Sequence, residues 1–226
     1  MIINEIFYSL QGEGLLAGTP SIFIRLAGCP LRCKWCDTKY AWDASAGQDF
    51  TVSQILDQIK KYSCNFVVVT GGEPMVNSVL PELVKKLKAT KKHITIETAG
   101  LAFISDLPCD FVSISPKLSN SFSKNQGPNS AYKYTEPDIS VLKMLIDNYD
   151  YQLKFVVDSP DDLDEILRTV DRIGNVRKEK VLLMPQAATR DELLAKSPMV
   201  ADLCKRSGFV FCQRLQIMLW NNEKAR

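Results

Sequence analysis

The chain has 226 residues, 46% of them hydrophobic, which is enough for one sizeable core, and a single α/β domain over residues 1–226 is expected. Its 28 basic and 26 acidic residues leave a formal net charge of +2 with no basic stripe, which argues against a nucleic-acid partner. No segment approaches the length of a membrane span, and the start Met1-Ile2-Ile3-Asn4-Glu5 lacks a basic region followed by an apolar one, so a cytoplasmic protein without membrane association is expected.

In chain order, short β-rich runs alternate with amphipathic helical patterns, the signature of a parallel sheet built from βαβ units. The first run is Ser21–Ala27. Thr51-Val52-Ser53-Gln54 has the capping-box pattern and predicts a helix through Tyr62. Strands follow at Asn65–Thr70, His93–Thr98 and Asp110–Ser115, and the Ser-, Asn-, Gly- and Pro-rich stretch Leu118–Tyr134 predicts a long loop. After the strand Tyr151–Val157, Ser159-Pro160 predicts an N-cap with proline at the first helical position, opening Asp161–Ile173. The strand Lys180–Met184, a second capping box at Thr189-Arg190-Asp191-Glu192 and a last run at Phe209–Gln213 complete the pattern. About six parallel strands with fewer helices than a closed eightfold barrel predict an incomplete TIM-like barrel, open on one side.

Chemistry gathers at the ends of these strands, where ligands collect in such sheets. After the first comes Cys29-Pro30-Leu31-Arg32-Cys33-Lys34-Trp35-Cys36, a C-x3-C-x2-C loop. Three thiolates on one loop can hold three irons of a cubic cluster and leave the fourth open. A structural zinc site is the rival, but zinc wants four closed ligands. The only histidine, His93, lies in a strand far along the chain, and no second C-x2-C follows. Cys64, Cys109, Cys204 and Cys212 are scattered singly and read as packing. The strand ending at Thr70 runs into Gly71-Gly72-Glu73-Pro74, whose glycines let backbone groups approach a ligand closely. Ala99-Gly100 follows the next strand, and Ser115-Pro116-Lys117 the one after.

With the cysteine loop and Gly-Gly-Glu-Pro one strand apart, the chain resembles the radical S-adenosylmethionine superfamily. Leu10-Gln11-Gly12-Glu13-Gly14, Phe23-Ile24-Arg25-Leu26-Ala27-Gly28-Cys29, Cys36-Asp37-Thr38 and Ser115-Pro116-Lys117 narrow the resemblance to its 7-carboxy-7-deazaguanine synthase family. That resemblance implies a 4Fe-4S cluster on Cys29, Cys33 and Cys36, with S-adenosylmethionine on its open iron. It places the cofactor against Trp35, Cys36, Asp37, Gly72, Glu97, Ser115, Pro116, Lys117 and Gln186, the last in Met184-Pro185-Gln186-Ala187, where the family carries a segment of different order. It implies a small-molecule carboxypterin substrate bound by Leu10, Gln11, Gly12, Glu13, Arg25 and Thr70, and Mg2+ on Thr38. The fork of Arg25 suits a carboxylate and the amide of Gln11 a pterin edge. The resemblance further implies a reductant such as flavodoxin or ferredoxin and a homodimer. The radical is generated on the cofactor, so no protein residue is assigned a catalytic role. Two alternatives stay open on the residues alone: a small activase that installs a glycyl radical on a partner protein, and a non-enzymatic zinc-binding module.

Overall fold

The structure is a computed structural model and describes residues 1–122, 136–221 and 223. Among the described residues nine strands form one sheet in the order β3-β1-β2-β4-β5-β6-β7-β8-β9. They are β1 (Ile2–Leu10), β2 (Pro20–Leu26), β3 (Gln48–Asp49), β4 (Phe66–Gly71), β5 (His93–Thr98), β6 (Phe111–Ile114), β7 (Tyr151–Val157), β8 (Val181–Pro185) and β9 (Val210–Phe211). From β2 through β9 each neighbouring pair is parallel, whereas β1 lies antiparallel to both β2 and β3. Among the described residues the sheet does not return from β9 to β3, so the barrel is incomplete and open on one side, as predicted. The antiparallel extension by β1 and β3 is an addition to that expectation.

The helices are α1 (Val52–Ile59), α2 (Leu80–Lys88), α3 (Ile139–Asn148), α4 (Asp162–Ile173), α5 (Arg190–Ser207) and α6 (Leu215–Trp220). Both capping boxes form: Gln54 N donates to Thr51 Oγ1 at 3.2 Å, and Glu192 N donates to Thr189 Oγ1 at 3.3 Å. The start of α4 differs from the expected Ser159 cap. Its N-cap is Asp161, and the Asp162 carboxylate accepts from the backbone N–H groups of Asp158 and Ser159 at 2.7 and 2.9 Å. A carboxylate in the first turn satisfies the entering chain better than the Ser159 hydroxyl could. Of the predicted loop Leu118–Tyr134, residues 123–134 lie outside the described residues.

Each α1 to α4 helix turns an apolar stripe to the sheet, as Leu80, Leu83, Val84 and Leu87 do in α2. The facing strand positions are Ile22, Ile24, Val67, Val69, Ile94, Ile96, Val112, Ile114, Leu153 and Phe155, all fully buried. Because side chains alternate across a strand, the intervening positions face the other way. On that concave side, register pairs Glu5 with Arg25 and Arg25 with Thr70, and likewise Glu97 with Ser113 and Ser113 with Gln152. The Thr70 hydroxyl joins the two groups by donating to Glu97 Oε2 at 2.7 Å. A polar row thus crosses six strands, on the face opposite these apolar positions.

Candidate active site

The cysteine loop leaves the end of β2 at Gly28, whose φ of +94° favours glycine. Gly28 and Cys29 donate backbone N–H groups to the carbonyls of Ala41 and Trp42, both at 2.9 Å, so the loop returns onto its own stem. Within it, Cys36 N donates to Cys33 O at 3.1 Å, and the Arg32 side chain bonds the Leu31 carbonyl while lying over the Trp42 ring. The second glycine loop packs on this one from below. A Cβ on Gly72 would stand 1.7 Å from the Gly28 carbonyl oxygen, and a Cβ on Gly71, at φ +120°, would stand 2.2 Å from the Leu26 backbone. The close approach expected of this pair is therefore made by the cysteine loop. Glu73 staples the arrangement: buried, it accepts from Thr98 Oγ1 at 2.6 Å, Ala99 N at 2.7 Å and Met75 N at 3.1 Å.

All three thiols are free and line one wall of a cleft of about 320 Å3. Burial pushes the Cys29 thiol up to about 11 and raises Cys33 as well, with Lys117 opposing the latter. Such thiols stay neutral until a metal displaces their protons. Three soft sulfur donors on one loop fit the open cluster. Among the described residues no three His, Cys, Asp or Glu side chains are placed to share a single metal ion, which is what a closed zinc site needs. Thr38 lies on the same wall, its Oγ1 3.5 Å from Cys36 Sγ.

The expected cofactor residues Trp35, Cys36, Asp37, Gly72, Glu97, Ser115, Lys117 and Gln186 all line this cleft; Pro116 does not. Lys117 Nζ folds back to donate to Ser115 O at 2.6 Å and Ser115 Oγ at 2.9 Å. Gln186 Oε1 accepts from Lys196 Nζ at 2.8 Å, which leaves the amide N–H groups as the donors.

Every expected substrate residue lines the cleft too, from Leu10 at the end of β1 to Arg25 on β2 and Thr70 on β4. Gln11 Nε2 donates to Glu97 Oε1 at 3.0 Å, so Gln11, Glu97 and Thr70 form one hydrogen-bonded unit. Glu13, expected among the substrate-binding residues, is committed to the protein through both oxygens. Lys154 donates to Oε2, while Arg214 Nε at 3.1 Å and Gln216 Nε2 at 2.7 Å donate to Oε1. Burial raises the Glu13 pKa, but Lys154 and Arg214 outweigh it and hold the carboxyl well below the usual range. For Lys154 burial acts downward and Glu13 overrides it, so its pKa is raised. Gly12 is dictated by the same group, since a Cβ there would stand 2.0 Å from Gln216 Oε1. Arg25 Nε donates to Glu5 Oε1 at 2.7 Å.

Glu5, Tyr40, Lys154, Arg214 and Gln216 were not anticipated. Lys154 had a signal, the one charged side chain of the strand Tyr151–Val157, where Gln152 is the other polar residue. Arg214 and Gln216 precede and begin a helix too short to show periodicity.

Three comparisons bear on this cleft. Residues 23–137 match the family profile of the Radical SAM superfamily. A 7-carboxy-7-deazaguanine synthase of Halobacterium salinarum is 40% identical over 97% of this chain and 90% of its own length, and that of Rhodopirellula baltica is 38% identical over 100% and 88%. The crystal structure of QueE from Escherichia coli superposes with a TM-score of 0.65 at 27% identity, covering 93% of this chain and 92% of that one. The three thiols, the polar row and the glycine loop thus sit in a chain that belongs to the 7-carboxy-7-deazaguanine synthase family of the radical SAM superfamily.

Proposed function

We propose that the cleft contracts the ring of 6-carboxy-5,6,7,8-tetrahydropterin to 7-carboxy-7-deazaguanine with loss of ammonia, on the route to queuosine and other 7-deazapurines. The observation that carries this reading is that three free thiols and an Arg25 guanidinium, whose Nη1 and Nη2 donors have no partner among the described residues, face the same cavity. When bound on Cys29, Cys33 and Cys36, the 4Fe-4S cluster of the superfamily together with S-adenosylmethionine supplies a 5′-deoxyadenosyl radical.

The chain's own residues bind, orient and shield. Arg25 takes the pterin carboxylate on its guanidinium edge, and the unit of Gln11, Glu97 and Thr70 reads the ring's donors and acceptors. Thr38 offers a hydroxyl to Mg2+, which prefers oxygen and keeps several waters, with the substrate carboxylate as a second ligand. Ser115, Lys117 and the Gln186 amide supply polar contacts to the nucleoside cofactor, Gly72 backbone to its amino group, and Trp35 and Asp37 flank its adenine. An external donor of the flavodoxin or ferredoxin kind delivers the electron.

Product and ammonia together hold the same atoms as the substrate, so the conversion needs no net oxidant and the cofactor can be regenerated. The test is anaerobic reconstitution with iron and sulfide, followed by incubation with the carboxytetrahydropterin, S-adenosylmethionine, Mg2+ and a reductant. Many molecules of 7-carboxy-7-deazaguanine per 5′-deoxyadenosine are expected. One 5′-deoxyadenosine per product would make the cofactor a consumed co-substrate, and no product at all would remove the assignment.

A further inference from the structure

Arg25 commits only one side of its guanidinium. Nε donates to Glu5 Oε1 at 2.7 Å, and the guanidinium carbon lies 5.7 Å from the centroid of the Phe7 ring, which itself stacks on Phe23 at 4.9 Å. Among the described residues Nη1 and Nη2 have no hydrogen-bond partner, although the side chain is only 15% exposed and lines the cleft. A guanidinium is rigid and planar, so fixing Nε and one face fixes where the remaining N–H groups point.

The residue that holds Nε is itself held. Tyr40 OH donates to the same Glu5 Oε1 at 2.9 Å, from the 3-10 turn Lys39–Ala41 that follows the third cysteine. Glu5 and Arg25 are opposed residues of β1 and β2, so three separate segments meet on one carboxylate oxygen. Two donors from separate segments of the chain keep that oxygen from swinging with the arginine. The phenol also draws charge from Glu5, which leaves more of the Arg25 cation for a second carboxylate.

We propose that Glu5 and Tyr40 are positioning residues that hold the Arg25 fork end-on to the substrate carboxylate and so make the cleft selective for a carboxylated pterin. This rests on the function proposed above. An arginine ordered beforehand loses little side-chain freedom when the carboxylate arrives, whereas a mobile one must be ordered at the expense of binding.

The experiment measures binding of 6-carboxypterin and of pterin, which lacks the carboxylate, to the reconstituted protein by fluorescence quenching, for the parent, Tyr40→Phe, Glu5→Ala, Glu5→Gln and Arg25→Ala. Tyr40→Phe and Glu5→Ala are each expected to weaken 6-carboxypterin by about three- to tenfold while leaving pterin unchanged. Glu5→Gln, which keeps an acceptor, should recover most of the loss, and neither Tyr40→Phe nor Glu5→Ala should add to Arg25→Ala. In turnover the same variants should raise KM and spare kcat. If Arg25→Ala loses the preference for 6-carboxypterin while Tyr40→Phe and Glu5→Ala keep it, the positioning role is wrong and the function stands. If Arg25→Ala binds both pterins as the parent does, the carboxylate contact itself fails and the proposal goes with it. Equal weakening of both ligands in Tyr40→Phe and Glu5→Ala would assign the pair to the general build of the pocket and overturn the proposal.

Discussion

Arg214 donates from Nη2 to Asp37 Oδ2 at 2.8 Å, which ties the residue before the last helix to the residue after the third cysteine. The same guanidinium reaches Glu13 through Nε at 3.1 Å and the Ala187 carbonyl through Nη1, so the cysteine loop and the Leu10–Gly14 loop share one buried cation. Without Arg214, Glu13 keeps Lys154 and Gln216 and the partly exposed Asp37 can turn to water, so the loss is that of charge-assisted hydrogen bonds, about 1.5–3 kcal/mol. Arg214→Met is expected to lower unfolding stability by about that amount, measured by urea titration, and to raise the share of S-adenosylmethionine cleaved without product. A variant as stable and as tightly coupled as the parent would show that the bridge is incidental.

The Glu13–Lys154 pair gives stability a definite pH dependence. The folded pKa of Glu13 lies below its unfolded value of about 4.3, so its contribution is complete above that value and is lost as pH falls through the folded one. Lys154 behaves in the opposite sense: raised above about 10.4, it contributes fully below that value and fades only as strong alkali reaches its folded pKa. The stability gap between parent and Glu13→Gln is therefore expected to stay flat from about pH 6 to 9 and to shrink below about pH 4. Denaturant curves at neutral and acid pH measure it, and a gap that keeps its width in acid would contradict the pairing.

Loss of any one of Cys29, Cys33 or Cys36 should abolish cluster absorbance and turnover, since each thiol lines the same wall. Cys64→Ala, Cys109→Ala, Cys204→Ala and Cys212→Ala should keep iron content; the buried pair Cys204 and Cys212 should each lose about 1 kcal/mol of stability through the small cavity left behind. Full iron and activity in Cys33→Ala would end the cluster assignment.

Two alanine variants separate loop packing from ligand contact. In Gly72→Ala the new methyl meets backbone, the Gly28 carbonyl and Cys29 N, which cannot yield without moving the cysteine loop, so iron incorporation should fail. In Gly12→Ala it meets the end of the Gln216 side chain, which can turn away and give up its bond to Glu13. That variant should load iron normally and bind pterin several-fold more weakly, because the displaced Gln216 side chain lines the same cleft. Iron assays and pterin titrations on the two proteins decide the matter, and iron loss in Gly12→Ala would count against it.

The parallel strands from β4 onward were legible because each is a short β-rich run bounded by turn residues, and both capping boxes were written in four letters. β1 was not. Its Asn4, Glu5 and Ser9 interrupt the apolar pattern, because this antiparallel strand is only half-buried and its Glu5 serves Arg25 instead of the core. The helices α2 and α3 lack a capping box, and α6 has only six residues, too few for a stripe. At the site, motifs gave the thiols and the rim, but Glu13 and Gly12 show the limit of motif reasoning: their partners Lys154, Arg214 and Gln216 lie more than 140 residues away, and only the folded chain reveals that both residues serve one another's surroundings.

The contact between Gly72 and the Gly28 carbonyl also bears on the order of events during biogenesis. Cys29 emerges from the ribosome well before Gly72, yet its loop has no floor until β4 has paired with β2 and the glycine turn has closed beneath it. A nascent chain halted ahead of that turn carries three unshielded thiols with nothing to fix their spacing. Iron delivery to this protein is thus expected to be a late step that follows sheet assembly, and supplying iron and sulfide to unfolded chain should yield less cluster than supplying them to chain already refolded under reducing conditions.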